Sequence, residues 1–279
     1  MTGRRPPLSK DTTLCISLAA RPSNIGTRFH NHLYDVLGLD FLYKAFTTTD
    51  IAAAIGGVRA LGIRGCSVSM PFKEDVLALV DEVEPSARVI NSVNTIVNDL
   101  SVPGGRLTAA NTDYLAIQRL IDTHGLDPSS TVLIRGSGGM ASAVGAAFAD
   151  RGFASGLVVA RNGATGRALA DLLGYDYAAD VGGRTADVVV NVTPVGMSGG
   201  PEAGEQAFDD ATIAAARTVF DVVALPSETP VITAARAAGV PVITGAEVIA
   251  LQAAEQFERY TGVRPSAEQV AEASAISRA

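Results

Sequence analysis

Lys73 ends the run Ser67-Val68-Ser69-Met70-Pro71-Phe72-Lys73, a hydroxyl-bearing extended stretch that stops at a proline and is followed at once by an ammonium. Farther on, Asn111-Thr112-Asp113 places a carboxylate at another junction between an extended run and a helical one. After it comes the glycine-rich turn Gly136-Ser137-Gly138-Gly139-Met140-Ala141. A lysine can take or give the proton of a hydroxyl group, and a nearby carboxylate can orient the ammonium that does so. Joined to a dinucleotide turn, these side chains point to redox chemistry on a small polar molecule.

The turn itself fits the G-x-G-x-x-G/A fingerprint at Gly136, Gly138 and Ala141, with an apolar extended run before it and a small-residue helical run after it. Gly136 permits the tight turn, and Gly138 lets the backbone approach a pyrophosphate seated on the free N–H groups of the helix start. Ala141 allows close packing of helix on strand, while Ser137, Gly139 and Met140 complete the loop. The cofactor type is read one strand later. A chain that binds NAD usually ends its second strand with Asp or Glu, which holds the ribose 2′-hydroxyl. Here Leu157-Val158-Val159-Ala160 is followed by Arg161-Asn162, with Arg167 beyond. A guanidinium suits a 2′-phosphate, and no carboxylate stands at that junction to repel it. The expected cofactor is therefore NADP.

These residues need a scaffold, and the chain alternates strand and helix patterns throughout. Strands are expected at 13–19, 41–46 and 65–70, with helices at 27–37, 51–61 and 73–83 between and after them. Further extended structure is expected at 89–97 and 106–110. A connecting helix at 114–124 leads to a break at Gly125-Leu126-Asp127-Pro128. The second part repeats the pattern with strands at 131–135, 157–160, 187–193, 218–223 and 241–243, and helices at 140–151, 165–173 and 229–238. Residues 246–261 form the longest helical run, expected to return to the first domain. Strands separated by such helices imply parallel pairing. The fold class is α/β, with one domain built from 1–110 and 246–279 and a Rossmann domain at 111–245.

Composition narrows the function. The chain has 279 residues, 47% hydrophobic, with a net charge of −7. Acidity argues against nucleic-acid binding, which needs a basic face. Cys15 and Cys66 are its two cysteines, without CxxC spacing, and read as reduced buried thiols of a cytoplasmic protein. Three histidines with no thiolate or carboxylate set near them give no metal site. Residues 1–7 are basic with no apolar segment following, which reads as a short disordered tail. No apolar run reaches the roughly 18–20 residues that a membrane span requires.

The ordered set Val68–Lys73, Ser92-Val93-Asn94-Thr95, Asn111–Asp113, the 136–141 turn, Asn191–Met197, and Gly245 with Gln252 resembles the shikimate/quinate dehydrogenase family over nearly the whole chain. The likeness is greatest to its shikimate dehydrogenase-like subclass. The resemblance implies an N-terminal α/β substrate domain, a Rossmann NADP domain and an active site in the cleft between them. It implies that Lys73 and Asp113 are the catalytic pair. Asn94 and Gln252 would bind substrate, together with Asn24, Ser67 and Ser69. Thr193, Pro194, Val195, Gly196, Met197, Val222 and Gly245 would line the nicotinamide side of the cofactor, with Arg161 and Asn162 at the ribose phosphate. The implied activity is NADP-dependent interconversion of shikimate and 3-dehydroshikimate in the chorismate pathway of aromatic amino acid biosynthesis. Alternatives are a dehydrogenase of quinate or another cyclic polyhydroxy acid, and a non-catalytic NADP-binding sensor. The expected partner is a small cyclic hydroxy acid, with the chain a monomer or homodimer.

The chain departs from the family pattern at substrate contacts. Asn24-Ile25-Gly26-Thr27 stands where the family has Ser-x-Ser-Pro, Ser67 replaces an Asn, and Ala224 replaces a Tyr. Each loss of a donor to a buried polar ligand group costs about 1–3 kcal/mol, so activity on shikimate is expected to be low unless other groups compensate.

Overall fold

Alternating strands and helices build two separate sheets in the computed structural model, which describes residues 4–278. The chain divides into two compact units, one of residues 1–112 and 250–279, the other of residues 113–249.

The first unit starts with β1 (Thr13–Ala19), α1 (Ile25–Leu37), β2 (Phe41–Thr47), α2 (Ile51–Ala60) and β3 (Gly65–Val68). Helix α1 buries Phe29, His30, Leu33 and Tyr34 along one stripe, and Gly38 ends it in the left-handed conformation at φ 66°. Helix α2 begins at Asp50, whose carboxylate accepts the Ala53 N–H at 2.9 Å. The unit continues through β4 (Glu82–Val83), α3 (Pro85–Arg88), β5 (Thr95–Asp99) and β6 (Arg106–Ala110). Its strand order is β2-β1-β3-β5-β6-β4.

Two expectations are corrected here. Residues 73–83 do not form an α-helix: Asp75–Leu79 is a short 3-10 turn, and the chain then extends into β4. The Asp81 carboxylate accepts the Leu107 N–H at 2.7 Å and an Arg59 N–H at 2.9 Å. Pairing with β6 thus overrides the local helical spacing of Val76, Leu77, Leu79 and Val80, which all serve the same apolar core. The sheet is also not wholly parallel, because β5 runs antiparallel to both β3 and β6. No helix separates β5 from β6. A tight loop does, with Gly104 and Gly105 both at positive φ.

The expected disordered tail is only partly within the described residues, since 1–3 lie outside them. Arg5 is held, donating to Asn31 Oδ1 at 2.9 Å and to the Phe41 carbonyl at 3.1 Å, and pairing with Asp35 at 3.0 Å.

The second unit opens with α4 (Thr112–Thr123) and continues through β7 (Val132–Arg135), α5 (Gly139–Asp150), β8 (Gly156–Val159), α6 (Gly163–Leu173) and β9 (Asp176–Ala178). Then come β10 (Val188–Asn191), α7 (Asp210–Ala215), β11 (Thr218–Asp221), α8 (Pro230–Ala237) and β12 (Val242–Thr244). All its strand pairs are parallel, in the order β12-β11-β10-β7-β8-β9. This is the doubly wound Rossmann order, whose switch point falls between β7 and β10. Helices α9 (Gly245–Thr261) and α10 (Ala267–Arg278) follow. From Ala250 onward they belong to the first unit, where Phe257, Tyr260, Val270 and Ala273 join Cys15, Phe29, Tyr34 and Tyr43 in one buried cluster. Among the described residues, no helix is long and apolar enough to cross a membrane.

Candidate active site

The Rossmann unit carries a cavity of about 700 Å³ at the switch point, lined by Gly136–Gly138 after β7 and by Val192–Val195 after β10. Gly136 has φ +130°, and a Cβ there would stand 2.8 Å from Val192 Cγ2 and 2.9 Å from the Val192 carbonyl oxygen. Gly138 caps α5 without a side chain, and a Cβ on Gly138 or Gly139 would meet open space. The first intrahelical bond from this end runs from the Ser142 N–H to the Gly138 carbonyl. The earlier N–H groups of the turn, at Gly139, Met140 and Ala141, have no acceptor within the helix. Ala141 is buried against the sheet, and Ser137 Oγ meets Thr165 Oγ1 of α6 at 2.7 Å.

At the end of β8, Asn162 caps α6, its Oδ1 accepting from the Ala164 N–H at 3.0 Å and the Thr165 N–H at 3.3 Å. Arg161 lies beside it on the cavity wall. Arg167 instead lies over the Tyr177 ring at 4.5 Å. Arg135, the last residue of β7, was not singled out from the sequence. It also lines the cavity, with its side chain donating to the Ala207 carbonyl. Burial lowers its pKa, an effect that the Glu202 carboxylate opposes.

The loops after β10 and β11 are tied together by two buried side chains. Asn191 Nδ2 donates to the Val195 carbonyl at 3.2 Å and to Asp221 Oδ1 at 2.9 Å. Asn191 Oδ1 accepts from Thr193 Oγ1 at 2.6 Å and from the Thr193 N–H at 3.1 Å. Asp221 further accepts from the Val223 N–H at 3.0 Å and from Thr229 Oγ1 at 2.6 Å. Burial raises the Asp221 pKa, and its three donors pull it back. This network fixes Thr193, Pro194 and Val195, while Gly196 turns at φ +84° and Met197 is exposed. Gly245 packs so closely on the Val222 carbonyl that a Cβ would collide with it. The network escapes sequence reading because Asn191 and Asp221 meet only through strand register.

In the first unit, Asn94, Thr95, Thr112, Gln252 and Gln256 form one polar cluster. Asn94 Oδ1 accepts from the Thr112 N–H at 2.8 Å, from Thr95 Oγ1 at 2.8 Å and from Thr112 Oγ1 at 3.1 Å. Three donors thus converge on its side-chain oxygen. Thr112 Oγ1 also faces Gln252 Oε1 at 3.3 Å, and Gln256 Nε2 donates to Thr95 Oγ1 at 3.0 Å. Ser67 stands in register with Thr95, its hydroxyl paired with the Tyr43 phenol at 2.8 Å. Tyr43 and Gln256 carry no sequence signal, Tyr43 lying in a largely apolar strand and Gln256 in a mixed charged and apolar helix. Ser69 is exposed beyond β3. Asn24 occupies the N-cap position of α1 without a side-chain capping bond, and it too is exposed.

Lys73 lies in the turn after β3, half-buried, with its backbone carbonyl accepting the Val93 N–H at 2.8 Å. The residue after this Val93 is Asn94, so Lys73 is anchored next to the polar cluster. Asp113 is buried and directly follows Thr112, the residue that Asn94 clamps.

The glycine backbone, the free helix-start N–H groups and the guanidinium groups on one cavity fit a dinucleotide phosphate. Comparison with known proteins agrees. Residues 24–96 match the family model described as the shikimate dehydrogenase substrate binding domain. The chain is similar to a shikimate dehydrogenase-like protein of Haemophilus influenzae, 56% identical over 271 residues that cover 97% of this chain and 98% of that one. It is 36% identical to a shikimate dehydrogenase (NADP(+)) of Citrifermentans bemidjiense, over 85% of both chains. A solved shikimate 5-dehydrogenase of Thermus thermophilus, in complex with NADP(H) and shikimate, superposes with a TM-score of 0.83. It is 27% identical, with 95% of this chain and 99% of that one covered. With its two sheets, its dinucleotide crevice and these likenesses along its whole length, the chain belongs to the shikimate dehydrogenase family of NADP-dependent oxidoreductases, in the shikimate dehydrogenase-like subclass.

Proposed function

We propose that this protein interconverts shikimate and 3-dehydroshikimate, with Lys73 and Asp113 as the catalytic pair and low activity as the default. The observation that carries the reading is the Asn94 cluster. It consumes the Asn94 acceptor oxygen inside the protein, leaves an NH₂ for a ligand hydroxyl, and holds the residue before Asp113, while the neighbouring Val93 N–H holds the backbone of Lys73.

NADP, when bound through Gly136–Ala141 and Arg161, supplies the hydride donor or acceptor. The chain's own residues handle the proton. In reduction, the Lys73 ammonium gives a proton to the carbonyl oxygen that becomes the hydroxyl. In oxidation, the neutral amine takes it from the hydroxyl. Asp113 orients the Lys73 nitrogen and accepts a hydrogen bond from a neighbouring substrate hydroxyl. Asn94 and Gln252 contribute polar contacts to the substrate, and Ser67 and Ser69 add hydroxyls.

The test is turnover by purified protein on shikimate, quinate and their keto forms, with NADP and with NAD. Formation of NADPH from shikimate is expected, and Lys73→Ala should lower kcat by about 10²–10⁴-fold while the thermal unfolding profile is kept. Tight NADP binding with no turnover on any cyclic acid would overturn the reading in favour of an NADP-binding sensor.

A further inference from the structure

The end of β8 carries no carboxylate in the sequence, but the fold brings one there. Glu202, from the loop that follows β10, places Oε1 3.5 Å from Arg161 Nη1. The two partners differ in setting: the Arg161 side chain is 80% exposed and that of Glu202 only 25%. The carboxylate is thus the sheltered member of the pair. Its loop is anchored, since the Glu202 carbonyl accepts from the Gly196 N–H at 2.9 Å and from the Glu205 N–H at 3.1 Å. Glu202 also acts on the guanidinium of Arg135. Glu202 itself is not part of the cavity lining; it stands behind the lining residue Arg161, and the two carboxylates on the lining, Asp180 and Asp209, are both engaged elsewhere. Asp180 pairs with Arg184 at 3.7 Å, and Asp209 caps α7 by accepting the Thr212 N–H at 2.7 Å.

The chemistry of such a carboxylate is specific. It accepts a hydrogen bond from a ribose 2′-hydroxyl, as Asp or Glu does in NAD sites. It repels a 2′-phosphate and draws off part of the positive charge that Arg161 would offer that phosphate. Arg161 and Glu202 therefore pull the cofactor choice in opposite directions. We propose that Glu202 is a specificity-determining residue, which sets the ratio of NADP to NAD affinity by occupying Arg161 and opposing with its charge a 2′-phosphate held there. The inference rests on the cofactor class alone and not on which acid is the substrate, so binding rather than turnover tests it.

The experiment is titration of the full-length protein with NADP and with NAD by intrinsic fluorescence or calorimetry. Wild type, Glu202→Gln, Glu202→Asp and Glu228→Gln would be compared at low and at high salt. Glu202→Gln is expected to tighten NADP by about three- to tenfold without tightening NAD, so the ratio of the two constants moves toward NADP. The shift should shrink near 0.5 M salt, where screening is strong (a Debye length of roughly 4 Å). Glu202→Asp keeps the charge and should stay near wild type. Glu228→Gln removes the same charge at a residue paired with Arg236, outside the cavity, and should leave the ratio unchanged. An unchanged ratio in Glu202→Gln overturns the proposal. So does an equal shift for both cofactors, or the same shift from Glu228→Gln.

Discussion

A methyl group at position 136 would stand 2.8 Å from Val192 Cγ2, on a backbone already at φ +130°. Only a residue without a Cβ fits both conditions. Gly136→Ala is therefore expected to cost about 1–3 kcal/mol in stability and to push β7 and the Val192 loop apart. The NADP dissociation constant should rise about tenfold or more, read by titration beside a urea unfolding curve. An unchanged NADP constant would show that the turn is not the cofactor cradle. The Asn94 cluster teaches a related point. Three donors converge on one oxygen, so the orientation of the amide is fixed from inside the protein.

At the level of elements, α6 shows one side chain serving both fold and site. Asn162 Oδ1 holds two N–H groups of the first turn and sits on the cavity wall next to Arg161. Asn162→Ala should cost about 1 kcal/mol of stability through loss of the cap. Asn162→Asp keeps the cap, so its unfolding midpoint should stay near wild type, but its charge should weaken NADP binding more than NAD binding. Unfolding midpoints and the two dissociation constants together separate cap from charge. If Asn162→Asp lowers both affinities equally, the side chain acts through the helix alone. The Rossmann unit was the more legible half. Its strands other than β9 are short apolar runs, and the glycine turn follows β7 where the fingerprint requires. Residues 73–83 carry helical spacing, yet pairing with β6 and the Arg59–Asp81 contact decide the backbone there, and no local pattern records that. The strand β9 and the helices α7 and α10 were not anticipated. Arg161 was visible beside the turn, but Glu202 was not, since 41 positions separate the two. The lesson is physical: contacts set by period or by capping are written locally, and contacts set by register or by loop return are not.

Over the whole molecule, the first unit stores an acid sensitivity. His30 is fully buried, stacked on Tyr43 at a 4.3 Å ring separation, and neither ring nitrogen has a hydrogen-bond partner. Burial pushes its pKa down to about 3. The surrounding Phe29, Tyr34, Tyr43, Phe257 and Tyr260 stay neutral in acid. The unfolded chain takes up the His30 proton below about pH 6.5, whereas the native protein refuses it. Stability from this group is therefore complete above about pH 6.5 and falls as the pH drops toward 3, by up to about 1.4 kcal/mol per pH unit. Urea unfolding between pH 6.5 and 5 should show a loss of about 2 kcal/mol in wild type. That slope should flatten in His30→Phe. Parallel slopes in the two proteins would remove His30 from the account.

The division of the chain has a consequence for its birth on the ribosome. The second unit is one uninterrupted segment, so all its strands are available as soon as residues 113–249 have emerged. The first unit is not complete until residues 250–279 arrive, because Phe257, Tyr260 and Val270 cover the face formed by Cys15, Phe29 and Tyr43. Domains generally fold as units while synthesis proceeds. Here an earlier segment must wait for a later one, and its aromatic face stays uncovered while the nucleotide-type unit finishes. The order of maturation is thus the reverse of the order of translation.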